Sequence, residues 1–152
     1  MVVRGIVALG VMVAAVLFAA SPAEAASYET FQNQDTGSCL NGLSVIAPAY
    51  GASCVVGLSP YWHVHVWRDG TRELQTIDSL NEPAGYCLDD SFGAGLRTYP
   101  CNQNRYQSWY IDRFSDGTIR FRNQQTGRCI DDSVAAGLRA FGCNTLSFQR
   151  WR

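Results

Sequence analysis

The adjacent carboxylates Asp89 and Asp90 are the first feature of the sequence with a chemistry suited to catalysis. Two carboxylates can serve as acid and base in glycoside hydrolysis, but they must flank one bond at a separation of about 5–10 Å. Neighbouring residues of a β-strand point to opposite faces, so this pair is predicted not to flank a bond. No Ser/His/Asp or Cys/His constellation is evident either, because all cysteines are expected to be paired with one another. We therefore expect no enzyme and no cofactor.

The two histidines, His63 and His65, are the next candidates for chemistry. On a strand they would share one face, which is the arrangement that could begin a zinc site. Zinc needs at least a third protein ligand, and the sequence offers no third candidate nearby. We predict no metal site.

Many of the remaining candidate residues lie in a segment that occurs twice in the sequence. The segment 87–109 recurs as 129–151 at an offset of 42 residues, and over 85–109 against 127–151 there are 13 identities in 25 positions. A more diverged copy precedes them, since 31-FQNQDTGSCLNG-42 matches 121-FRNQQTGRCIDD-132. A fixed period of this size indicates a repeat architecture.

The spacing of cysteine and tryptophan gives the extent of each unit. Trp67 stands 42 residues before Trp109, so we interpret the chain as three units at about 28–67, 74–109 and 116–151. Cys54 to Trp67 spans 13 positions where the other units need 8, which we interpret as an insertion in the first unit.

The local pattern within the units is that of β-strands. Residues 118–122 alternate polar and apolar side chains, 96–99 and 138–141 do so in part, and Asp69-Gly70 and Asp116-Gly117 are hairpin turn pairs. Each unit has too little apolar surface to fold alone, so three of them are expected to close around one core and leave few free edges. The predicted fold class is all-β, a β-trefoil of three repeats of about 40 residues.

The six cysteines are expected to form a disulfide framework, because their number is even and an exported protein folds in an oxidising compartment. Six cysteines allow 15 connectivities. The threefold symmetry selects one bond within each unit, each stabilising the fold by roughly 3 kcal/mol in the chain-entropy model. These bonds are Cys39–Cys54, Cys87–Cys101 and Cys129–Cys143.

The first 26 residues have the pattern of a secretory signal peptide: Arg4, an apolar run, and an A-x-A site that ends at Ala25. The run is short of the roughly 18–20 apolar residues of a spanning helix, so a membrane anchor is the weaker alternative. The predicted mature domain is 27–152, secreted, extracellular and monomeric. The chain's net charge of −1 offers no field to hold nucleic acid.

Three sets of residues carry a resemblance to a known family. Cys87-Leu88-Asp89, the Cys-Asn pair that follows, and Gln107-Ser108-Trp109 resemble the C-x-D and Q-x-W pattern of ricin-B-type β-trefoil lectins. Through 123-NQQTGRCIDDS-133 and 106-YQSW-109 the sequence is similar to actinohivin-type lectins of actinomycetes. The resemblance implies a non-catalytic protein whose partner is a glycan or polysaccharide.

The resemblance also implies one sugar pocket in each of the second and third units. Its aspartate would accept hydrogen bonds from two sugar hydroxyls, an aromatic ring would support the apolar face of the sugar, and an asparagine and a second aromatic ring would complete the wall. The implied carbohydrate-binding residues are Asp89, Arg97, Tyr99, Asn102, Tyr106 and Gln107 in the second unit, and Asp131, Arg139, Phe141, Asn144, Phe148 and Gln149 in the third.

Several of these residues have a structural alternative. Gln107 and Gln149 are expected to hydrogen-bond to the backbone. The carboxylates of Asp89 and Asp131 are expected either to bind sugar or to hold a loop in place. The second carboxylate of each pair is expected to act in a turn or as a cap. A further departure is Arg97, with its counterpart Arg139, where related lectins more often have Gln or Tyr. The guanidinium either neutralises the aspartate and disables the site or grips an acidic sugar. We favour the second alternative, in which the arginine widens the specificity towards acidic or unusual glycans.

The first unit is expected to have lost its pocket. Asn41-Gly42 replaces the two aspartates, His65-Val66-Trp67 replaces Gln-x-Trp, and Tyr61-Trp62 belongs to the inferred insertion. The loop 55–64 supports an alternative function, a secreted protein-binding module such as a protease inhibitor.

Overall fold

The structure is a computed structural model that describes residues 27–55 and 60–152, without the side chain of Ser27. The predicted signal peptide and positions 56–59 of the 55–64 loop lie outside these residues. The described chain forms twelve strands and two 3₁₀ helices, and no described helix has the length and apolar character to cross a membrane. The strands are β1 Ser27–Glu29, β2 Cys39–Asn41, β3 Ala47–Pro48, β4 Tyr50–Ala52, β5 Trp62–Val66, β6 Arg72–Ile77, β7 Pro83–Ser91, β8 Gly95–Pro100, β9 Trp109–Arg113, β10 Ile119–Asn123, β11 Cys129–Ser133 and β12 Gly137–Phe141, and the helices are Arg105–Gln107 and Ser147–Gln149.

All strand pairings among the described residues are antiparallel. The main sheet runs β12-β11-β10-β9-β6-β7-β8-β3, with β1 joined through β5 to β6, and β2 pairs with β4 separately. The predicted hairpin turns are confirmed: Gly70 and Gly117 both have a φ of 83°, which only glycine adopts freely, between β5 and β6 and between β9 and β10. The strand segments predicted from alternation correspond to β8, β10 and β12.

The core repeats three times, as the spacing predicts. Each unit contributes a tryptophan whose indole Nε1 donates to the backbone carbonyl of the residue that follows the first cysteine of that unit. These bonds are Trp62 to Leu40 at 3.0 Å, Trp109 to Leu88 at 3.1 Å and Trp151 to Ile130 at 3.3 Å. All six residues are buried in one cluster with Phe31, Leu74 and Phe121. Three units therefore share one core, which is the predicted β-trefoil.

The first and third units are joined by backbone pairing. The backbone N–H of Gln32 donates to Arg152 O at 2.9 Å, and Trp151 forms a β-bridge with Asn33. The three predicted disulfides are all present, at sequence separations of 15, 14 and 14 residues. Each disulfide lies within one unit, so the symmetry argument for the connectivity is confirmed.

The alignment of Trp67 with Trp109 was wrong. The buried equivalent in the first unit is Trp62, which follows Cys54 by 8 positions, as Trp109 follows Cys101. Trp67 corresponds instead to Phe114, because both residues begin the aromatic-x-Asp-Gly-Thr turn that ends a hairpin strand. The fixed offset of 42 misled because it ignored a length difference elsewhere in the chain.

That length difference lies in the second unit. Leu74 precedes Cys87 by 13 positions, whereas Phe31 precedes Cys39 by 8 positions, as Phe121 does Cys129. The extra residues lengthen the β6–β7 hairpin. The inferred insertion between Cys54 and Trp67 is therefore wrong, and with it the main argument for a protein-binding loop at 55–64.

Candidate functional site

Two hairpins set an aspartate opposite an arginine on equivalent faces of the second and third units. The β7–β8 register places Asp89 across from Arg97, and the β11–β12 register places Asp131 across from Arg139. Oppositely charged residues in direct cross-strand register are close enough to bond. The structure thus brings together the carboxylate and guanidinium that the sequence assigned to each pocket.

In the second unit, Arg97 Nε donates to Asp89 Oδ1 at 3.1 Å, and the guanidinium carbon lies 4.3 Å from the Tyr99 ring centroid. Arg97 and Tyr99 are two residues apart on β8, so their side chains share a face. Asp89 is 2% exposed, whereas the Arg97 side chain retains 24% of its surface. The aspartate is therefore buried, while the arginine that bonds to it is partly exposed to solvent.

The third unit repeats this arrangement. Arg139 Nε donates to Asp131 Oδ1 at 3.1 Å, and the guanidinium carbon lies 4.2 Å from the Phe141 ring centroid. Asp131 is 2% exposed, and the Arg139 side chain is 42% exposed. No hydrogen bond among the described residues uses the Nη atoms of either arginine. Each site therefore presents a fixed guanidinium with free donors.

Burial raises the pKa of Asp89 above its ordinary value of 3.8, while the hydrogen bond and charge of Arg97 oppose this shift. The direction is upward because removing a carboxylate from water disfavours its charged form. Burial and Arg97 therefore act in opposite directions on the Asp89 pKa, and burial is the larger effect.

Gln107 and Gln149 are completely buried and hold the loop that follows the second cysteine of each unit. Gln107 Oε1 accepts from the Asn102 backbone at 2.9 Å, and its Nε2 donates to Pro100 O at 3.0 Å. Gln149 makes the same bond to the Asn144 backbone at 2.8 Å and also donates to Asp131 Oδ2 at 3.1 Å. Their expected scaffold role fits, and direct sugar contact by these two amides is ruled out by burial.

The expected wall residues lie beside this loop. Asn102 is exposed and Tyr106 partly buried, and Asn144 and Phe148 occupy the equivalent positions, both partly buried. The side-chain oxygen of each asparagine already accepts a hydrogen bond. Asn102 Oδ1 accepts from the Asn104 backbone at 3.2 Å, and Asn144 Oδ1 accepts from the Leu146 backbone at 2.9 Å. The amide nitrogen of Asn102 is the better placed to meet a ligand.

The second aspartates, Asp90 and Asp132, join neighbouring units. Asp90 Oδ2 accepts from Thr126 Oγ1 at 2.5 Å and Asp132 Oδ2 from Thr36 Oγ1 at 2.5 Å, and Arg128 also pairs with Asp90. Both carboxylates are buried. They are structural, but their role is to bind the next unit and not the turn or cap expected from sequence. Asp89 and Asp90 therefore serve different partners.

The first unit lacks the paired charges. Asn41, buried, faces Tyr50 in the β2–β4 register, where the other units have Asp and Arg. Ala52 and Val55 stand two residues before and one residue after Cys54, where the other units have an aromatic residue and an asparagine. The side chains of the Asp–Arg site are thus absent from this unit, as expected. Since Trp62 and not Trp67 is the core tryptophan, Pro60 and not His65 replaces the glutamine.

Metal-binding groups come together once among the described residues, where Glu73 lies beside Cys87 and Cys101. The two sulfurs are bonded to each other, so this group offers one carboxylate and no thiolate to an ion. His65 packs edge-on against Trp67 at 4.3 Å between ring centroids.

A cavity of about 680 Å³ shares no lining residue with either Asp–Arg site and is lined in part by Trp67, Asp69, Gln103 and Gln124. From the sequence, Asp69 was predicted only as part of a hairpin turn, Gln103 and Gln124 had no predicted role, and Trp67 was misplaced. The signal that could have found them is the shared turn pattern of 67–71 and 114–118.

Comparisons with known proteins agree with this architecture. The family model described as the ricin-type beta-trefoil lectin domain matches residues 76–152. A search of curated proteins found no match.

Solved structures match over most of the described chain. The designed threefold-symmetric protein ThreeFoil has a TM-score of 0.71 at 19% identity, covering 82% of this chain and 96% of its own. SeviL bound to asialo-GM1 saccharide has a TM-score of 0.65 at 13% identity, covering 83% and 94%. A GlcNAcα1-4Gal-releasing endo-β-galactosidase from Clostridium perfringens has a TM-score of 0.67 at 17% identity, covering 82% of this chain and 31% of its own. The chain thus spans about a third of that larger enzyme, and the likeness shows the fold alone.

Proposed function

The chain belongs to the family of ricin-type β-trefoil lectin domains, and from this premise we propose that it is a secreted, non-catalytic lectin with one sugar site in each of the second and third units. The observation that carries the proposal is the duplicated arrangement of a buried aspartate, a covering arginine and an aromatic ring at equivalent surface positions. The arginine is partly exposed in both copies, whereas the aspartate that holds it is buried.

The sugar class that these sites favour is acidic. The Asp89 carboxylate is covered, so an approaching ligand meets the Arg97 guanidinium first. Its Nε is held by Asp89, its plane lies over Tyr99, and no described residue bonds its Nη atoms. A guanidinium held in this way pairs in bidentate fashion with a carboxylate or sulfate. In this proposal the aspartate orients the arginine and does not itself take the sugar hydroxyls.

The remaining contacts come from the loop that Gln107 supports. Asn102 supplies an amide donor and Tyr106 a hydroxyl, and both follow the disulfide that anchors β8 to β7. In the third unit Phe148 stands in place of Tyr106 and has no hydroxyl. We expect the second unit to bind the more tightly. The likeness to actinohivin-type lectins belongs to the same proposal, with arginine as the departure.

Two sites on one rigid frame extend this function. A single shallow site holds a sugar weakly, but two sites that engage one polysaccharide gain from the high effective concentration of the second. The gain depends on a repeat spacing in the glycan that lets both sites bind together. A monomer with two sites is sufficient for this, and we propose no role for nucleic acid or membrane insertion.

Export is part of the proposal. Three disulfides within one small domain are typical of proteins that fold in an oxidising compartment. We propose that 1–26 is a signal peptide and that 27–152 is the mature lectin domain.

The test is a glycan array with matched neutral, uronate-bearing and sulfated glycans. The wild type is compared with Arg97→Gln/Arg139→Gln and with Asp89→Asn/Asp131→Asn, which keeps side-chain size. We expect acidic glycans to bind the wild type and to lose most of their signal in both variants. Far-ultraviolet circular dichroism of each variant controls for folding.

Two outcomes would contradict the proposal in different ways. Binding of neutral glycans that survives or increases in Arg97→Gln/Arg139→Gln would refute the acidic preference and show that the arginines obstruct the sites. A blank array from folded wild type would refute the lectin function itself.

A further inference from the structure

Two equivalent grooves lie at the β5–β6 and β9–β10 hairpin turns, beside the second and third units. Residues 62–71 and 109–118 share a core tryptophan, an aromatic residue five positions later, and Asp-Gly-Thr. Trp67 therefore corresponds to Phe114, and Asp69 corresponds to Asp116. Both turns have the same bonds, since Thr71 Oγ1 donates to Asp69 Oδ1 at 2.7 Å and Thr118 Oγ1 to Asp116 Oδ1 at 2.6 Å.

In the third unit this groove holds the protein's own arginine. The guanidinium carbon of Arg150 lies 4.0 Å from the Phe114 ring centroid, and its Nη1 donates to Asp116 Oδ2 at 2.9 Å. Arg150 Nε also donates to the backbone carbonyl of Thr145 at 3.2 Å. An aromatic face, a carboxylate and a carbonyl together fix one guanidinium.

The second unit has an aromatic ring and a carboxylate at the equivalent positions, Trp67 and Asp69, without the arginine. Ser108 stands where the third unit has Arg150, as the middle residue between the buried glutamine and the core tryptophan. Gln103 is the counterpart of Thr145, two positions after the second cysteine, and lines the cavity of about 680 Å³ together with Trp67 and Asp69. The space that Arg150 fills in one unit is left as a cavity in the other.

The carboxylate in this cavity is prepared for a cation. Hydrogen bonds from Thr71 lower the pKa of Asp69 below its ordinary value of 3.8, so it is ionised at neutral pH. Asp69 Oδ2 accepts from Gln124 Nε2 at 3.0 Å, and a carboxylate oxygen can accept a second donor. The indole of Trp67 is a stronger partner for a cation than the phenyl ring of Phe114.

We propose that the cavity at Trp67 and Asp69 binds the arginine side chain of a partner peptide or protein, in the pose that Arg150 adopts on Phe114 and Asp116. Arginine is favoured over lysine because the planar guanidinium can stack on the ring while its N–H groups reach the carboxylate. The site is separate from the Asp–Arg sugar sites and does not depend on them.

One neighbouring charge opposes this ligand. Arg68 also lines the cavity, whereas the third unit has Ser115 at the equivalent position. No described contact places Arg68 on Trp67 or on Asp69, so it does not fill the site itself. Its positive charge should weaken binding, and Arg68→Ser should strengthen it.

The experiment is a titration of the mature protein with the peptide acetyl-Gly-Arg-Gly-amide, followed by the ¹H–¹⁵N resonance of the Trp67 indole. Trp67→Phe assigns that resonance. Peptides with lysine or with citrulline, the neutral isostere of arginine, are the ligand controls. We expect a saturable shift with arginine, a weaker response with lysine and none with citrulline, and about fivefold weaker binding by Asp69→Asn.

The matched variants are Ser108→Arg and Arg150→Ser, which exchange the two units' residues. We expect Ser108→Arg to shift the Trp67 resonance without peptide and to abolish the peptide response, and Arg150→Ser to add a second site at Phe114. An Asp89→Asn/Asp131→Asn variant should respond as the wild type does, which separates this proposal from the sugar sites.

The proposal is overturned if the wild type shows no saturable shift with the arginine peptide, or if citrulline gives an equal shift. It is also overturned if folded Ser108→Arg binds the peptide as the wild type does, because the peptide would then occupy another surface. Should Ser108→Arg not fold, an Asp69→Asn variant that binds like the wild type leads to the same rejection.

Discussion

Replacing each of the two aromatic candidates of the first hairpin by phenylalanine tests the assignment of the core tryptophan. Trp62 is 1% exposed and donates to the carbonyl of Leu40 at 3.0 Å. Trp62→Phe leaves that buried carbonyl unpaired, which costs about 1–3 kcal/mol. The smaller ring also leaves a cavity that adds about 1 kcal/mol. The expected loss in the free energy of unfolding is therefore about 2–4 kcal/mol.

Trp67→Phe is the matched control. The indole N–H of Trp67 has no acceptor among the described residues, the side chain is only partly buried, and phenylalanine is the native residue at the equivalent position 114. We expect this variant to lose less than about 1 kcal/mol, as is usual for substitutions outside a packed core.

Urea unfolding of both variants with their disulfides intact, followed by far-ultraviolet circular dichroism, gives the two free energies by linear extrapolation. The slope with urea should be unchanged, because neither substitution alters the surface that unfolding exposes. A loss for Trp67→Phe equal to or greater than that for Trp62→Phe would show that the units have been aligned incorrectly.

Three further predictions concern single side chains. Burial raises the pKa of Glu73 above 4.5, against the charge of His65, so its contribution to stability is present below that value and is lost as the pH rises through the folded pKa; Glu73→Gln should therefore gain about 1 kcal/mol in urea unfolding at neutral pH and nothing below pH 4.5, and no gain at neutral pH would contradict this. Gly42→Ala should lose about 1–3 kcal/mol by overpacking, because an added Cβ would lie 2.5 Å from the Trp62 ring, and a neutral result in the same assay would show that the ring can move aside. The raised pKa of Asp89 predicts that its pairing with the arginine, and with it the binding of a sulfated sugar to the second unit, is lost as the pH falls through a value above 3.8; calorimetry of Arg139→Gln checks this, with Asp89→Asn added as a control that should bind the sugar weakly at every pH, and strong binding by the control that falls with pH in the same way would reject it.

The fold was accessible from the sequence because its repeat signals are local. The separation between the two cysteines and the Gln-x-Trp pattern both lie within a single unit and are repeated from one unit to another. Each marks a position in the shared core. The placement of Trp67 failed for the complementary reason. A fixed offset of 42 is correct only where the units have the same length. The longer β6–β7 hairpin shifts the true correspondence by five residues. Counting from Cys54 to the next tryptophan, which uses a local distance, identifies Trp62.

The candidate site was accessible only in part. The sequence suggested that Arg97 lies beside Asp89, but whether the guanidinium neutralises the carboxylate or presents itself to a ligand depends on which nitrogen is used. The bond is made by Nε alone, which leaves the Nη edge free. The inter-unit bond of Asp90 to Thr126 was beyond reach, because it joins residues 36 positions apart in different units.

Comparison among the three units separates the roles of their residues by physical argument. Positions that keep one chemistry in all three, such as the core tryptophans, are buried and hold the fold. The Asp–Arg pair is kept in two units, one side chain buried and the other at the surface, which a core role alone does not explain. The third unit has Arg150 where the second has Ser108. The groove of the third unit holds that arginine, whereas the second unit has a ring and a carboxylate at the equivalent positions without an arginine. An internal repeat thus supplies both the template for a ligand and the control that tests it.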